Sequence, residues 1–397
     1  MHWDRSWRGR KLRVAKPTAI ACFAAFFALL VAAGCGGSSG GGGQSGGGSG
    51  NASAVVNDCK SKISQFRKAL RFTPPGPPID VSKVRGRSVA ILSVDQRVPT
   101  LAQAATAMQK AANVAGLKTT LYDAQANPSR MVQGIQQAIN QKAGAAILLG
   151  IPTKLVGGPI KKLKAANIPS VTVLNNDPIK GKPGQGSPNT DVYATSAPSY
   201  STAGQLEACK AIVDTNGKAT VAVFSTPDID PASFVVQGVK QVMGKCGGCQ
   251  VKTVQQTPLA EWSTKLSGLS QSVMRRNPDV DYLIATLDQM ALFIGTGVRQ
   301  SGREIPIATF NGTPAVLALV QKGKGVSADP GEDNNWIGWH TIDQAMRGML
   351  GKKPADPAVP IRYFDQSNLK GVDVNDTSAL YGTSYVDGYR KLWGVGT

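Results

Sequence analysis

The sequence predicts an α/β protein of two similar lobes, each a doubly wound parallel sheet. Three observations carry this reading. Short apolar runs of strand length recur along the chain, and amphipathic stretches with helical spacing separate them. The alternation breaks once, at a segment rich in Pro and Gly that divides it into two series of similar length. Strands that alternate with helices pair in parallel, because a crossover helix returns the chain to start the next strand in the same direction.

The first series opens with SVAILS at 88–93, followed by a helical face of Leu101, Ala104, Ala105, Met108, Ala111, Ala112 and Ala115. A strand at 118–122 (KTTLY) leads to Asn127-Pro128, an N-cap followed by proline at the first helical position. Met131, Ile135, Ala138 and Ile139 keep helical spacing after it, and GAAILL (144–149), a helix over 158–166 and SVTVL (170–174) complete the series. Residues 178–190, PIKGKPGQGSPNT, interrupt the pattern. It resumes with DVYAT (191–195), a helix over 200–214, ATVAVFS (219–225), a helix over 232–245, DYLIAT (281–286), a helix over 288–301 and IPIATF (305–310). Two halves, each opening on a buried strand, imply a cleft between them, with the site where the strand C-termini face each other.

Upstream, residues 1–17 hold Arg5, Arg8, Arg10, Lys11, Arg13 and Lys16 against Asp4, and residues 18–34 carry no charge. A basic start, a short apolar run and small residues describe an export signal, too short for a spanning helix of about 20 residues. Ala32-Ala33-Gly34-Cys35 resembles the lipobox of bacterial lipoproteins, which implies cleavage before Cys35 and acylation of its thiol. The Gly/Ser stretch at 36–50 cannot bury enough apolar surface to fold and reads as a tether. A membrane-held, extracytoplasmic protein is therefore expected.

The formal charge of the chain is +19, and +14 remains once the signal is set aside. The cations are scattered, PIKKLK (159–164) and MRR (274–276) being the densest groups. Attraction to an anionic membrane surface accounts for them, and nucleic acid is not expected as a partner. Cys59, Cys209, Cys246 and Cys249 follow the lipid-bearing Cys35; an even number in an oxidising compartment indicates disulfides, with three connectivities open. A lone Cys246-Gly-Gly-Cys249 with one histidine, His340, outside the signal does not make a zinc site. No nucleophile elbow, P-loop or metal cluster marks an enzyme.

The order SVAILSVDQ, LYDAQANPSRMVQGIQQAINQKAGAAILL, AANIPSVTVLNND, PDVDYLIATLDQMAL and IPIATFNGTP resembles the type I periplasmic-binding-protein family, nearest its sugar-binding branch, over residues 86–350. The resemblance implies a non-enzymatic monomer without a cofactor, its lobes joined by three crossings near 178–190, 326–335 and 360–365. It also implies closure on a small solute, most simply a carbohydrate, and delivery to an ABC-type permease; a membrane-tethered sensor is the alternative. The expected division is 1–34 signal, 35–52 lipidated Cys and linker, 53–190 with 329–362 first lobe, and 191–328 with 363–397 second lobe. Carried over position by position, the ligand set is Asp95 and Gln96, Asn175 and Asn176, Trp262, Asp288, Asn311, and Asp333, Asn334 and Trp336 in the last hinge loop. Asp288 can equally serve the dipole of its own helix, and one of the two tryptophans is expected to stack on the ligand. The arginine of the sugar binders is replaced by Val235, so amides, carboxylates and an indole are left to hold a neutral hydroxylated molecule.

Overall fold

The computed structural model describes residues 49–178 and 189–396. The expected export signal, Cys35 and most of the Gly/Ser stretch read as a tether lie outside them. Helix α1 (Ser49–Arg67) comes first and starts inside the stretch read as tether. Then β1 (Ser88–Ser93), α2 (Pro99–Val114), β2 (Lys118–Asp123), α3 (Pro128–Asn140), β3 (Ala145–Leu149), α4 (Gly157–Ala165), β4 (Ser170–Val173) and β5 (Ala194–Pro198) build the first lobe. The second contains α5 (Tyr200–Asp214), β6 (Thr220–Ser225), α6 (Asp230–Met243), β7 (Gln250–Gln256), α7 (Trp262–Arg276), β8 (Tyr282–Ala285), α8 (Asp288–Gln300), β9 (Ile307–Thr309), α9 (Pro314–Gln321) and β10 (Val326–Ala328). A hinge ribbon of β11 (Gly331–Glu332) and β13 (Ile361–Arg362) brackets α10 (Asn334–Met349) and β12 (Ala358–Val359); α11 (Gln366–Leu369), α12 (Thr377–Tyr381) and α13 (Ser384–Leu392) close the chain.

Both sheets are parallel, ordered β12-β5-β4-β3-β1-β2 and β10-β9-β8-β6-β7. Burial on two faces explains the continuous apolar runs. In β1, Val89 and Ile91 enter the core under α2, α10 and α13, while Ala90 and Leu92 enter the one under α3 and α4. In β6, Val221 and Val223 face α5 and α6, and Ala222 and Phe224 face the α7–α9 side. Each fully buried Ile or Leu contributes roughly 1.5–3 kcal/mol.

The structure corrects the lobe boundaries. The 178–190 segment is not a crossing, because Val171, Thr172 and Val173 of β4 register with Ala194, Thr195 and Ser196 of β5 in one sheet. Between the two sheets the chain instead crosses after β5, at Ser199, the N-cap of α5. The other hinge segments are residues 329–333 and 359–361. Two further crossings come from the chain ends. Val55, Val56, Cys59 and Ile63 of α1 pack in the second lobe, not the first. Conversely α13 leaves the second lobe and buries Tyr385, Tyr389 and Leu392 in the first. An amphipathic helix shows that it has an apolar face, not which lobe covers it. The cysteines pair as Cys59–Cys209, tying α1 to α5, and Cys246–Cys249, within the turn after α6.

Helices α5 and α6 meet backbone to backbone. A Cβ on Gly204 would lie 2.0 Å from the Val235 carbonyl oxygen, and one on Gly238 1.9 Å from that of Ser201. Val235 is thus fully buried at this crossing and does not stand in for a cleft residue. Gly238→Ala is expected to force the helices apart and destabilise the protein by about 1–3 kcal/mol, since no flexible side chain can yield. Chemical denaturation of the purified variant measures it, and an unchanged midpoint would refute the close crossing.

Candidate functional site

The strand C-termini of the two sheets face one cleft, and the backbone is strained at its wall. Leu174, just past β4, has φ +59°, and Asn311, just past β9, has φ +144°, values that non-glycine residues rarely adopt. Across the cleft mouth Lys154 Nζ of the first lobe meets Asp230 Oδ1 of the second at 3.0 Å. That pair is largely exposed, so it contributes at most about 1 kcal/mol to holding the lobes together.

The expected ligand residues separate into two groups. Some are already engaged. Arg97 grips Asp95, Nη2 to Oδ2 at 2.6 Å, which holds this carboxyl below the usual range. Asn175 donates Nδ2 to the Ile151 carbonyl at 2.5 Å and braces the ends of β3 and β4. Asp333 caps α10, accepting from the Asn335 N–H at 2.9 Å. Trp336 stacks on Tyr385 with centroids 5.0 Å apart and belongs to the first-lobe core, so it does not stand in the cleft. The reason is that α10 is buried on every side. Trp262 donates its indole N–H to the Thr257 carbonyl at 3.0 Å and belongs to the second-lobe core. Two tryptophans thus act in packing.

The others keep a buried polar atom without a partner: Gln96 Nε2 and Asn176 Nδ2 on the first lobe, Asp288 Oδ1 on the second, and Asn334 Oδ1 at the hinge. Buried polar atoms are nearly always satisfied, so these four bare atoms are the candidates for contact with a polar ligand. Sequence reasoning missed Ser93, Ser225 and Thr257, whose hydroxyls are equally bare, and Asp329, Glu332 and Tyr381. Serines and threonines ending strands carry no distinguishing pattern. A signal existed for the acids: ADPGED (328–333) crowds three carboxylates into six residues of a basic chain.

The segment 311–313 organises these acids, one residue each. Asn311 Nδ2 donates to Glu332 Oε1 at 3.2 Å, the Gly312 N–H to Asp329 Oδ1 at 3.1 Å, and the Thr313 N–H to Asp288 Oδ2 at 2.9 Å. Burial pushes Glu332 up to about 8 against the hydrogen bond from Asn311, and Asp288 up to about 6 against those from Thr313. Burial, and then the Asp288 charge, hold Asp329 well above the carboxylate range. Burial likewise pushes Asp333 to about 6. His340, the histidine beyond the signal, is buried between Ser196 Oγ at 2.7 Å and the Asp356 carbonyl at 2.8 Å, a packing role.

Two parallel-sheet lobes whose strand ends meet over a polar, strained cleft, with connecting segments between them, have the architecture of a two-lobed solute-binding protein. The chain belongs to the periplasmic binding protein domain family, whose pattern it matches over residues 90–353. The ribose import binding protein RbsB of Bacillus subtilis (strain 168) is 24% identical over 248 residues, 62% of this chain and 76% of the relative. Among solved structures, an ABC transporter solute-binding protein of Bacillus halodurans C-125 with bound myo-inositol superposes with a TM-score of 0.63 at 16% identity, covering 75% of this chain and 99% of that one. A periplasmic ribose ABC transporter structure from Conexibacter woesei DSM 14684 gives a TM-score of 0.64 at 15% identity, covering 76% and 97%.

The buried acids make stability depend on pH. Glu332 binds its proton up to about pH 8 in the folded protein but only to about pH 4.5 when unfolded, so the folded state holds more protons between these values. Stability conferred by that proton is complete below about pH 4.5 and lost as pH rises through about 8; Asp288 and Asp333 add the same sign up to about pH 6. Thermal unfolding should therefore show a melting temperature that falls from about pH 5 to about pH 8, with a flatter profile in Glu332→Gln. A wild-type profile that rises across this window would contradict the assignment.

Proposed function

We propose that the protein captures a small hydroxylated solute between its lobes by hinge closure and passes it to an ABC-type importer. The observation that carries this reading is the set of buried, unpartnered polar atoms contributed by both lobes and the hinge, Gln96, Asn176, Asp288 and Asn334 among them. A ligand rich in hydroxyls can donate to and accept from such atoms at once. The names of the relatives support it, since one is a ribose import protein and another holds myo-inositol. Binding to both lobes is stronger in the closed form, so the solute itself drives closure.

The test is a thermal-shift panel of pentoses, hexoses, inositols, linear polyols and their amino derivatives, because a ligand of the folded state alone raises the melting point. At least one should do so, and at saturation it should reduce the radius of gyration measured by small-angle scattering. If no member shifts the protein, solute capture of this class is wrong.

The anchor belongs to the same proposal. Cys35 carries the lipid in this reading, and an importer component is thereby kept beside its permease. Cys35→Ser should abolish palmitate labelling and release the protein from membranes, or leave its signal uncleaved. Labelling that persists would refute the lipobox.

A further inference from the structure

We propose that the solute carries a basic nitrogen, as in an amino sugar or amino polyol, and that its ammonium seats on Asp288, Asp329 and Glu332. This rests on the solute-capture reading above and narrows it. Segment 311–313 donates to one oxygen of each carboxyl, Asp288 Oδ2 taking both the N–H and the hydroxyl of Thr313, so each carboxyl keeps its other oxygen bare: Glu332 Oε2, Asp329 Oδ2 and Asp288 Oδ1. The three side chains are at most 5% exposed. None takes part in an ion pair among the described residues.

A second side chain points to the same place. Tyr381 is 2% exposed and its hydroxyl has no partner. That hydroxyl fills the space a side chain would take at Gly312 and Gly331, where a Cβ would come within 2.5 and 2.4 Å of it. These glycines adjoin Asn311 and Glu332, so the phenol enters the acid cluster itself. Among the described residues no group of His, Cys, Asp and Glu is arranged to hold a metal ion.

An ammonium supplies both features that the cluster lacks. It brings a positive charge into a group of acids without a cation among the described residues, and N–H donors for carboxyl oxygens that have none. A neutral hydroxyl gives one donor and no charge, leaving buried carboxyls that must stay protonated. The opposite wall has the complementary character: Gln96 Nε2 and Asn176 Nδ2 are bare donors, suited to ligand hydroxyl oxygens. The cleft is therefore polar along its length, with the amine toward the second lobe and hinge and the hydroxyls toward the first lobe.

The experiment compares matched sets on the full protein: D-glucose, D-glucosamine and N-acetyl-D-glucosamine; the galactose set; ribitol and 1-amino-1-deoxyribitol; myo-inositol and an inosamine. N-acetylation keeps the skeleton and removes the charge. Titrations read by thermal shift and calorimetry should show at least one free amine binding about tenfold or more tighter than its neutral and acetylated counterparts. Asp288→Asn should erase that preference, and the isosteric Glu332→Gln, which keeps shape should Asp288→Asn fail to fold, should weaken it. If a neutral member binds as tightly as its amine, or the preference survives both substitutions, the ammonium seat is refuted while solute capture stands. If no member of either kind binds, both readings fall.

Discussion

A buried ion pair in α10 ties the two ends of the first lobe's chain to one helix. Asp343 and Arg347 of α10 are 0% and 1% exposed, with Nε to Oδ2 at 2.7 Å. Such a pair adds little net stability over an apolar substitute, but removing one member strands the other charge. Its value here is what the remaining atoms grip. Arg347 Nη2 donates to the Pro77 carbonyl at 2.9 Å, and Asp343 Oδ1 accepts from the Trp393 indole at 2.9 Å. The segment entering the first lobe and the end of the chain are thereby fixed to one helix, whose Trp339 stacks on Trp393 with centroids 5.4 Å apart. Packing on every side buries α10 from Trp336 to Arg347.

The site makes the opposite use of burial. Asn311 holds a backbone conformation suited to glycine while its side chain reaches Glu332, and Gly312 and Thr313 hold the neighbouring acids. Strain and unpaired carboxyl oxygens are both unfavourable in the free protein, and proteins keep such features where function needs them. The surrounding cores of Phe224, Ile284 and Phe310, all fully buried, supply the stability that offsets them.

Much of this architecture was legible from periodicity. Strands β1, β3, β6 and β8 are apolar because they are covered on both faces, and that pattern survives in one dimension. The lobe to which β5 belongs was not legible, since ATSAP pairs with β4 across a long connection and register is a property of two segments. Nor were the lobes holding α1 and α13, since contact across the hinge leaves no local mark. In the site, Asn176 and Asp288 stood out as polar residues ending buried strands. Trp262 and Trp336 misled because an indole suits a sugar face and a core equally well. Asp329 and Glu332 were passed over because their meaning depends on what 311–313 does to them in space.

The Cys59–Cys209 bond decides how the molecule carries load. Because α1 packs against α5 and is covalently joined to it, α1 is mechanically part of the second lobe. A load entering α1 therefore passes into that lobe through the disulfide and the packing on α5, not through the inter-lobe segments at 199, 329–333 and 359–361.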